Sequence, residues 1–187
     1  MKRGMVVLLT LLLVASIAQA QEVKVGTLLS HTGPLKEFGP NLKNGCELAA
    51  KQMAEAGFKI KLIHEDSETS AIPAINAAKK LVEVDKVIAI VGALASGVTI
   101  PVAESVTIPK GVIQISPAST SPLITVLPAD KGRDFLFRTC PSDALQGVVA
   151  GKLAAEHYKT AAVLYVNNPY GQGLAEQFKR SFEKRGG

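Results

Sequence analysis

The sequence predicts an α/β protein: a doubly wound parallel sheet followed by an incomplete second α/β lobe. Two observations carry this prediction. Apolar runs of strand length alternate with segments of helical spacing in the order β-α-β-α-β-α-β. The run VIAIVGA, from Val87 to Ala93, is continuously apolar, as expected for a strand covered on both faces. Such alternation is typical of parallel sheets with right-handed crossovers.

The first twenty residues, MKRGMVVLLTLLLVASIAQA, have the three parts of a secretory signal peptide. Lys2 and Arg3 form a charged start, Met5–Ile17 is mostly apolar, and Ala18–Ala20 fits the small-x-small cleavage pattern. A membrane anchor is the alternative, but the apolar run is shorter than the ~20 residues that a span needs. We therefore predict a signal peptide over residues 1–20 and export to the periplasm.

The first lobe is predicted over residues 21–140. Its strands are predicted in EVKVGTLLS, FKIKLIHED, KVIAIVGA and GVIQIS, and its helices in FGPNLKNGCELAAKQMAEAG, AIPAINAAKKLVEVD and SGVTIPVAESVTIP. Gly57 ends the first helix, and Ile72 and Leu81 lie on the apolar spacing of the second. The third is rich in β-branched residues, but it is predicted to be a short helix because it must cross between two buried strands.

The start of a second lobe is predicted over residues 141–187. DFLFRTC, residues 134–140, reads as a further strand just before this boundary. SDALQGVVAGKLAAEHY reads as a helix with Ser142 or Asp143 as its N-cap. A buried strand is predicted in TAAVLYVNN and a final helix in YGQGLAEQFKRSFEKRGG.

Composition excludes some partners. The net charge of +5 falls to +3 without Lys2 and Arg3, and no stripe of basic residues is interleaved with aromatics. Nucleic acid is therefore not expected as a partner. Cys46 and Cys140 match no metal or redox spacing, so they are either a disulfide formed in an oxidising compartment or two small packing residues. No cofactor or metal is predicted.

The ends of the predicted strands carry short hydroxyl residues and glycines, with few charges. Ligands of parallel α/β sheets bind beyond these ends. A carboxylate could accept from the Ser96 hydroxyl and from the amides of a helix starting near Gly97, and an ammonium could donate to Ala118 and Thr120. This mixture suits a small zwitterion. The alternative is that each cluster is turn chemistry alone.

Motifs of enzymes are not matched. GALASG has Leu94 where a hydrolase elbow needs glycine, and there is neither a phosphate-binding loop nor His-Glu-x-x-His. GQGLAE has Glu176 in place of the third glycine of a dinucleotide fingerprint. His64 beside Glu65 and Asp66 is interpreted as a solvated strand end rather than a metal site. The sequence thus predicts a protein that is not an enzyme.

Five stretches carry a family likeness: VKVGTLLSHTGPLKEFGPNLKNGCELA, VGALASGVTIPVAE, GVIQISPASTSP, FLFRTCPSDALQG and AVLYVNNPYGQGLAEQF. In this order and spacing they resemble the leucine/isoleucine/valine-binding proteins, which are type I periplasmic binding proteins of ABC transporters. The likeness runs from about Val23 to the end of the chain. It implies two lobes that close over an amino acid.

The resemblance also implies roles for individual residues. Ser96 resembles the carboxylate-binding serine of the family, and Ala118, Ser119 and Thr120 match the segment that grips the carboxylate and the ammonium. Phe38 falls where the family often has a tyrosine near the side chain of the ligand. Tyr170 matches a second-lobe aromatic that covers the ligand, and FRTCPSD resembles the first crossing between lobes.

Partners and departures follow from the same likeness. It implies leucine, isoleucine, valine or a similar amino acid as ligand, an ABC permease in the inner membrane as partner, and a monomer. No cysteine lies near Glu65–Ser67, where some relatives begin a disulfide, and family members are considerably longer than this chain. Two alternatives stay open: a ligand-sensing domain for amides or aromatic acids on the same fold, and an exported α/β enzyme.

Overall fold

A computed structural model describes residues 22–187, so the predicted signal peptide lies outside the described residues. Its centre is a five-stranded sheet in the order β2-β1-β3-β4-β5, and every neighbouring pair is parallel. The strands are β1 Val23–Leu29, β2 Ile60–Asp66, β3 Ala89–Gly92, β4 Ile113–Ser116 and β5 Leu136–Arg138. The predicted parallel α/β fold is confirmed. The strand order reverses between β1 and β3, which makes their carboxyl ends the switch point where ligands bind.

Five α-helices of at least 7 residues accompany these strands in the described part of the chain. They are α1 Gly39–Glu55, α2 Ala71–Lys79, α3 Ser96–Val102, α4 Asp143–His157 and α5 Pro169–Glu183. Helix α2 continues through the π-helical turn Lys80–Val84, and α3 through Ala103–Thr107 and a last turn, Ile108–Lys110. Gly111 closes α3 in the left-handed conformation at φ 66°, which glycine adopts without steric cost. Within residues 22–187, no helix combines the length and the apolar composition needed to cross a bilayer.

The main core lies between the sheet and helices α2 and α3. Leu28 and Ile90 of the sheet pack with Ala78, Leu81 and other fully buried side chains. Ile72, predicted on the apolar face of α2, is 75% exposed, and that expectation is wrong. The helix turns small alanines toward the strands instead, which lets it approach closely.

Helix α1 lies against the edge strand β2, and most of its residues are exposed. Along its apolar side, Leu42 and Cys46 are half-buried, whereas Met53 is 38% exposed. Gly57, at φ 91°, follows the helix end as predicted. An edge strand offers one helix less surface to cover than the centre of the sheet does, so part of the apolar face of α1 stays in water.

The prediction of a buried strand in TAAVLYVNN is wrong. Residues 159–166 form no strand, and Leu164 is fully exposed while Val166 is 62% exposed. A strand needs the N–H and C=O groups of a neighbouring strand, and none among residues 22–187 pairs with this segment. The apolar composition shows which residues favour burial, but it does not supply a partner strand.

Candidate ligand-binding site

A cavity of about 1010 Å³ lies at the carboxyl ends of the strands. Its apolar wall comes from helix α1 with the loop before it and from the start of α3. Val166, which precedes α5, and Tyr170, in the first turn of α5, complete this wall. Its polar wall is made of hydroxyl and amide side chains. None of the lining residues in the described chain is charged, so charges on a ligand must be met by hydroxyls, backbone groups and helix ends.

Five of the six predicted site residues line this cavity: Phe38, Ser96, Ala118, Thr120 and Tyr170. Their roles toward a ligand remain predictions. Ser119, the sixth, does not reach the cavity.

The Ser119 side chain is 1% exposed and points into the protein. Its Oγ donates to Leu94 O at 2.9 Å and lies 2.7 Å from Thr99 Oγ1. This hydroxyl therefore holds the loop after β3 and cannot contact a ligand in the cavity.

Ser96 begins helix α3, and its hydroxyl is set as a donor. Its Oγ accepts the N–H of Ser121 at 3.1 Å. A hydroxyl has one proton and two acceptor lone pairs, so the proton of Ser96 stays available for a ligand oxygen. The first hydrogen bonds within the helix run from Val98 N and Thr99 N to Ala95 O. The amides of Ser96 and Gly97 come before them and therefore have no acceptor within the helix.

The Thr120 hydroxyl is set as an acceptor, in contrast to the Ser96 hydroxyl. Its Oγ1 donates to Asp143 Oδ2 at 2.6 Å, while the N–H of Asp143 donates to Thr120 O at 2.9 Å. The Arg138 guanidinium donates to Thr120 O at 3.3 Å and to Ser121 O at 2.7 Å, which fixes this loop. Because its proton is already used, the Thr120 hydroxyl can only accept from a ligand.

Asp143 is a supporting residue that the sequence did not reveal. It was one of two candidate N-caps of α4, but the cap is Ser142, whose Oγ accepts the N–H of Ala144 at 3.2 Å. Asp143, 1% exposed, is thereby left to hold Thr120. The sequence did offer one signal: with two candidate N-caps in a row, only one is needed as the cap, and the other is free to bind elsewhere.

Asn168 is another lining residue that the sequence analysis did not select. Its Oδ1 accepts the N–H groups of Tyr170 and Gly171, each at 3.0 Å, and so caps α5. An Asn-Pro pair before a helical segment is a recognisable start signal. This cap positions Tyr170 at the cavity.

The two cysteines are both free. The Cys140 Sγ lies 3.3 Å from Ser119 O, and burial raises the pKa of its thiol. Burial, and then the nearby Glu47 carboxylate, raise the pKa of the Cys46 thiol. Of the two alternatives in the sequence, the structure shows separate, partly buried thiols.

A second cavity, of about 800 Å³, lies between residues 159–165 and helix α5. Phe178 and Phe182, which stack at 5.7 Å, lie along it. None of the predicted site residues lines it.

A parallel α/β sheet whose switch point opens into an uncharged, hydroxyl-lined cavity defines a small-ligand-binding module. Comparison with known families specifies which: residues 22–187 match the model of the periplasmic binding proteins, and the chain belongs to this family.

Individual relatives agree with this assignment. A Leu/Ile/Val-binding protein homologue from Brucella abortus is 36% identical over 171 residues, which is 88% of this chain and 44% of the relative. A leucine-binding protein from Thermotoga maritima superposes with a TM-score of 0.74 at 30% identity, covering 88% of this chain and 47% of that one.

A third relative was solved with an aromatic ligand. It is a solute-binding protein of an ABC transporter from Rhodopseudomonas palustris, in complex with 3,4-dihydroxybenzoic acid. Its TM-score is 0.75 at 25% identity, and the match covers 89% of this chain and 45% of that one. The resemblance to leucine/isoleucine/valine-binding proteins is confirmed, and the chain spans about half the length of the relatives it matches.

Proposed function

We propose that this protein is the substrate-binding component of an ABC transporter and that it binds a branched-chain or related amino acid without chemical conversion. The opposite polarity of Ser96 and Thr120 carries this proposal. One hydroxyl offers a proton to a carboxylate, and the other offers lone pairs to an ammonium. An α-amino acid presents these two groups side by side.

The rest of the ligand finds matching surfaces in the cavity. The amides of Ser96 and Gly97 add donors for the carboxylate at the positive end of α3. Leu35, Phe38 and Leu42 form an apolar wall for an aliphatic side chain. Burying a leucine side chain fully is worth about 1.5–3 kcal/mol.

The proposed mechanism is closure of a cleft. We divide the chain into a first lobe, residues 21–140, and the start of a second, residues 141–187. The Ser121 hydroxyl donates to Pro169 O at 2.8 Å, so the loop that carries Thr120 also contacts the start of α5. In this proposal the closed, monomeric form engages an ABC permease in the inner membrane.

A ligand series tests the class of ligand. We expect calorimetry to give leucine a higher affinity than 4-methylpentanoate, which lacks the ammonium, and isoamylamine, which lacks the carboxylate. Each analogue should bind roughly 10- to 150-fold more weakly, because each loses a hydrogen bond to a charged group. Equal affinity for leucine and 4-methylpentanoate would contradict an amino-acid site.

A matched pair of variants tests whether Thr120 binds the ammonium of the ligand. Thr120→Val removes the accepting oxygen and should abolish the preference for leucine over 4-methylpentanoate, as measured by the same calorimetry. Thr120→Ser keeps the oxygen and should preserve that preference. If Thr120→Val discriminates as well as the unmodified protein, Thr120 does not bind the ammonium.

An aromatic acid is the second candidate ligand. Two aromatic side chains, Phe38 and Tyr170, line the uncharged cavity, and the relative from Rhodopseudomonas palustris was solved with such an acid. Tighter binding of 3,4-dihydroxybenzoate than of leucine would select this candidate. Turnover of either compound would instead support the enzyme alternative.

Export to the periplasm is proposed from the leader sequence. We expect N-terminal sequencing of the periplasmic protein to begin at Gln21, because Ala18 and Ala20 occupy the small positions of the cleavage pattern. The control Ala20→Leu should accumulate as a longer precursor. A periplasmic protein that starts at Met1 would contradict this expectation.

A further inference from the structure

We propose that Asp66 is the positioning residue of one wall of the cavity: its carboxylate ties the loop after β1 to the loop after β2. The inference rests on the proposed function, because these loops form the surface that would contact the bound ligand. Asp66 does not line the cavity itself, so it acts through the residues that it holds.

Both loops converge on this one carboxylate. Oδ1 accepts the N–H groups of His31 at 2.9 Å and Thr32 at 3.3 Å from the loop after β1. The same oxygen accepts the N–H of Glu68 at 2.9 Å from the loop after β2. Oδ2 accepts the Thr32 hydroxyl at 2.7 Å. The two loops therefore share one anionic acceptor.

Hydroxyl groups complete the junction on either side of Asp66. Thr69 Oγ1 donates to Thr32 O at 3.2 Å and accepts the N–H of Leu35 at 3.2 Å. Gly33 adopts φ 79°, and a Cβ there would lie 2.2 Å from Glu68 O. The backbones thus approach more closely than any side chain at Gly33 would permit.

These loops carry part of the cavity wall. Pro34, Leu35 and Phe38 come from the loop after β1, and Thr69 and Ser70 from the loop after β2. The positions of these five residues relative to one another depend on the junction at Asp66. A change in the junction would therefore alter the surface proposed for the ligand side chain.

The carboxylate is held in its charged form. Burial raises the pKa of Asp66, but the Thr32 hydroxyl and the N–H groups of Glu68, His31 and Thr32 outweigh it, and the pKa lies below the ordinary value. Hydrogen bonds to an ionised group are shorter and stronger than those between neutral groups. The junction thus depends on the charge as well as on the shape of the side chain.

The first test compares Asp66→Asn with Asp130→Asn. Asp130 also accepts two backbone N–H groups, from Phe135 at 2.9 Å and Leu136 at 3.1 Å, but it does not line the cavity. Asp66→Asn should speed amide hydrogen exchange in residues 31–38 and 67–70 and weaken leucine binding about tenfold or more. Asp130→Asn should speed exchange in residues 134–137 and leave leucine binding unchanged.

The second test uses the partner hydroxyl. Thr32→Val should loosen the same two loops, and Thr32→Ser, which keeps the hydroxyl, should restore their protection. Exchange at the unmodified rate in Asp66→Asn, or loosened loops with full leucine affinity, would overturn the proposal. If the unmodified protein binds neither leucine nor 3,4-dihydroxybenzoate, the proposed function fails, and the exchange data still decide whether Asp66 joins the loops.

Discussion

Replacing Ser96 by alanine is expected to lower the affinity for leucine by roughly 10- to 150-fold. The free energy lost is that of a hydrogen bond to a charged group, about 1.5–3 kcal/mol. The structure supplies the reason for assigning this loss to Ser96: its oxygen accepts the N–H of Ser121, which leaves the proton for the ligand. Isothermal calorimetry with leucine measures the change directly.

A second consequence of Ser96→Ala must be separated from the first. The N–H of Ser121 loses its acceptor, and an unsatisfied buried donor costs about 1–3 kcal/mol of folding stability. Ser181→Ala is the matched control, because Ser181 is a buried serine whose hydroxyl donates to Val148 O at 2.8 Å, and it does not line the cavity. Thermal unfolding should shift in both variants, whereas leucine affinity should fall only in Ser96→Ala. Equal loss of affinity in both would contradict the placement of the site.

The candidate site was partly predictable because parallel strands end at one edge of their sheet. That rule selected Ser96, Ala118 and Thr120 from their positions after strands, and all three line the cavity. It could not separate Thr120 from Ser119. Neighbouring residues in a loop point in different directions, and the local backbone conformation that decides between them is not encoded in residue type.

Supporting carboxylates were harder to predict. Asp143 holds Thr120 across 23 residues of chain, and Asp66 holds His31 and Thr32 across more than 30. Each partner lies on a different element, so no local spacing connects the pair. In the sequence both aspartates resembled ordinary residues at the end of a strand or the start of a helix.

The fold was predictable where the signal was local. Apolar runs located all five strands of the sheet, Gly57 located the end of α1, and the candidate caps Ser142 and Asp143 located the start of α4. The predicted strand at Val163 and Leu164 was wrong because a strand forms only where another strand pairs with it, and sequence does not show that partner. The predicted burial of Ile72 was wrong because α2 lies close to the sheet, where small alanines fit better than the larger isoleucine side chain.

The contact between α4 and α5 is expected to contribute strongly to stability. Gly151 lies against the backbone of α5: a Cβ there would be 2.5 Å from Phe178 O and 2.9 Å from Phe182 N. Backbone atoms of a helix cannot turn aside as a side chain can, so Gly151→Ala must push the two helices apart. We expect the free energy of unfolding of this helix pair to fall by about 1–3 kcal/mol.

Gly45→Ala on helix α1 is the matched control, because a Cβ at Gly45 meets nothing within 4 Å. Alanine is the better helix former, so this variant should be unchanged or more stable by about 0.5–1 kcal/mol. Urea unfolding followed by tyrosine fluorescence reports on the region of α4 and α5. The chain has no tryptophan, and its three tyrosines, Tyr158, Tyr165 and Tyr170, all lie beyond residue 140. Gly151→Ala should lower the midpoint seen by the tyrosines, and an unchanged midpoint would show that α4 and α5 do not pack as closely as this geometry requires.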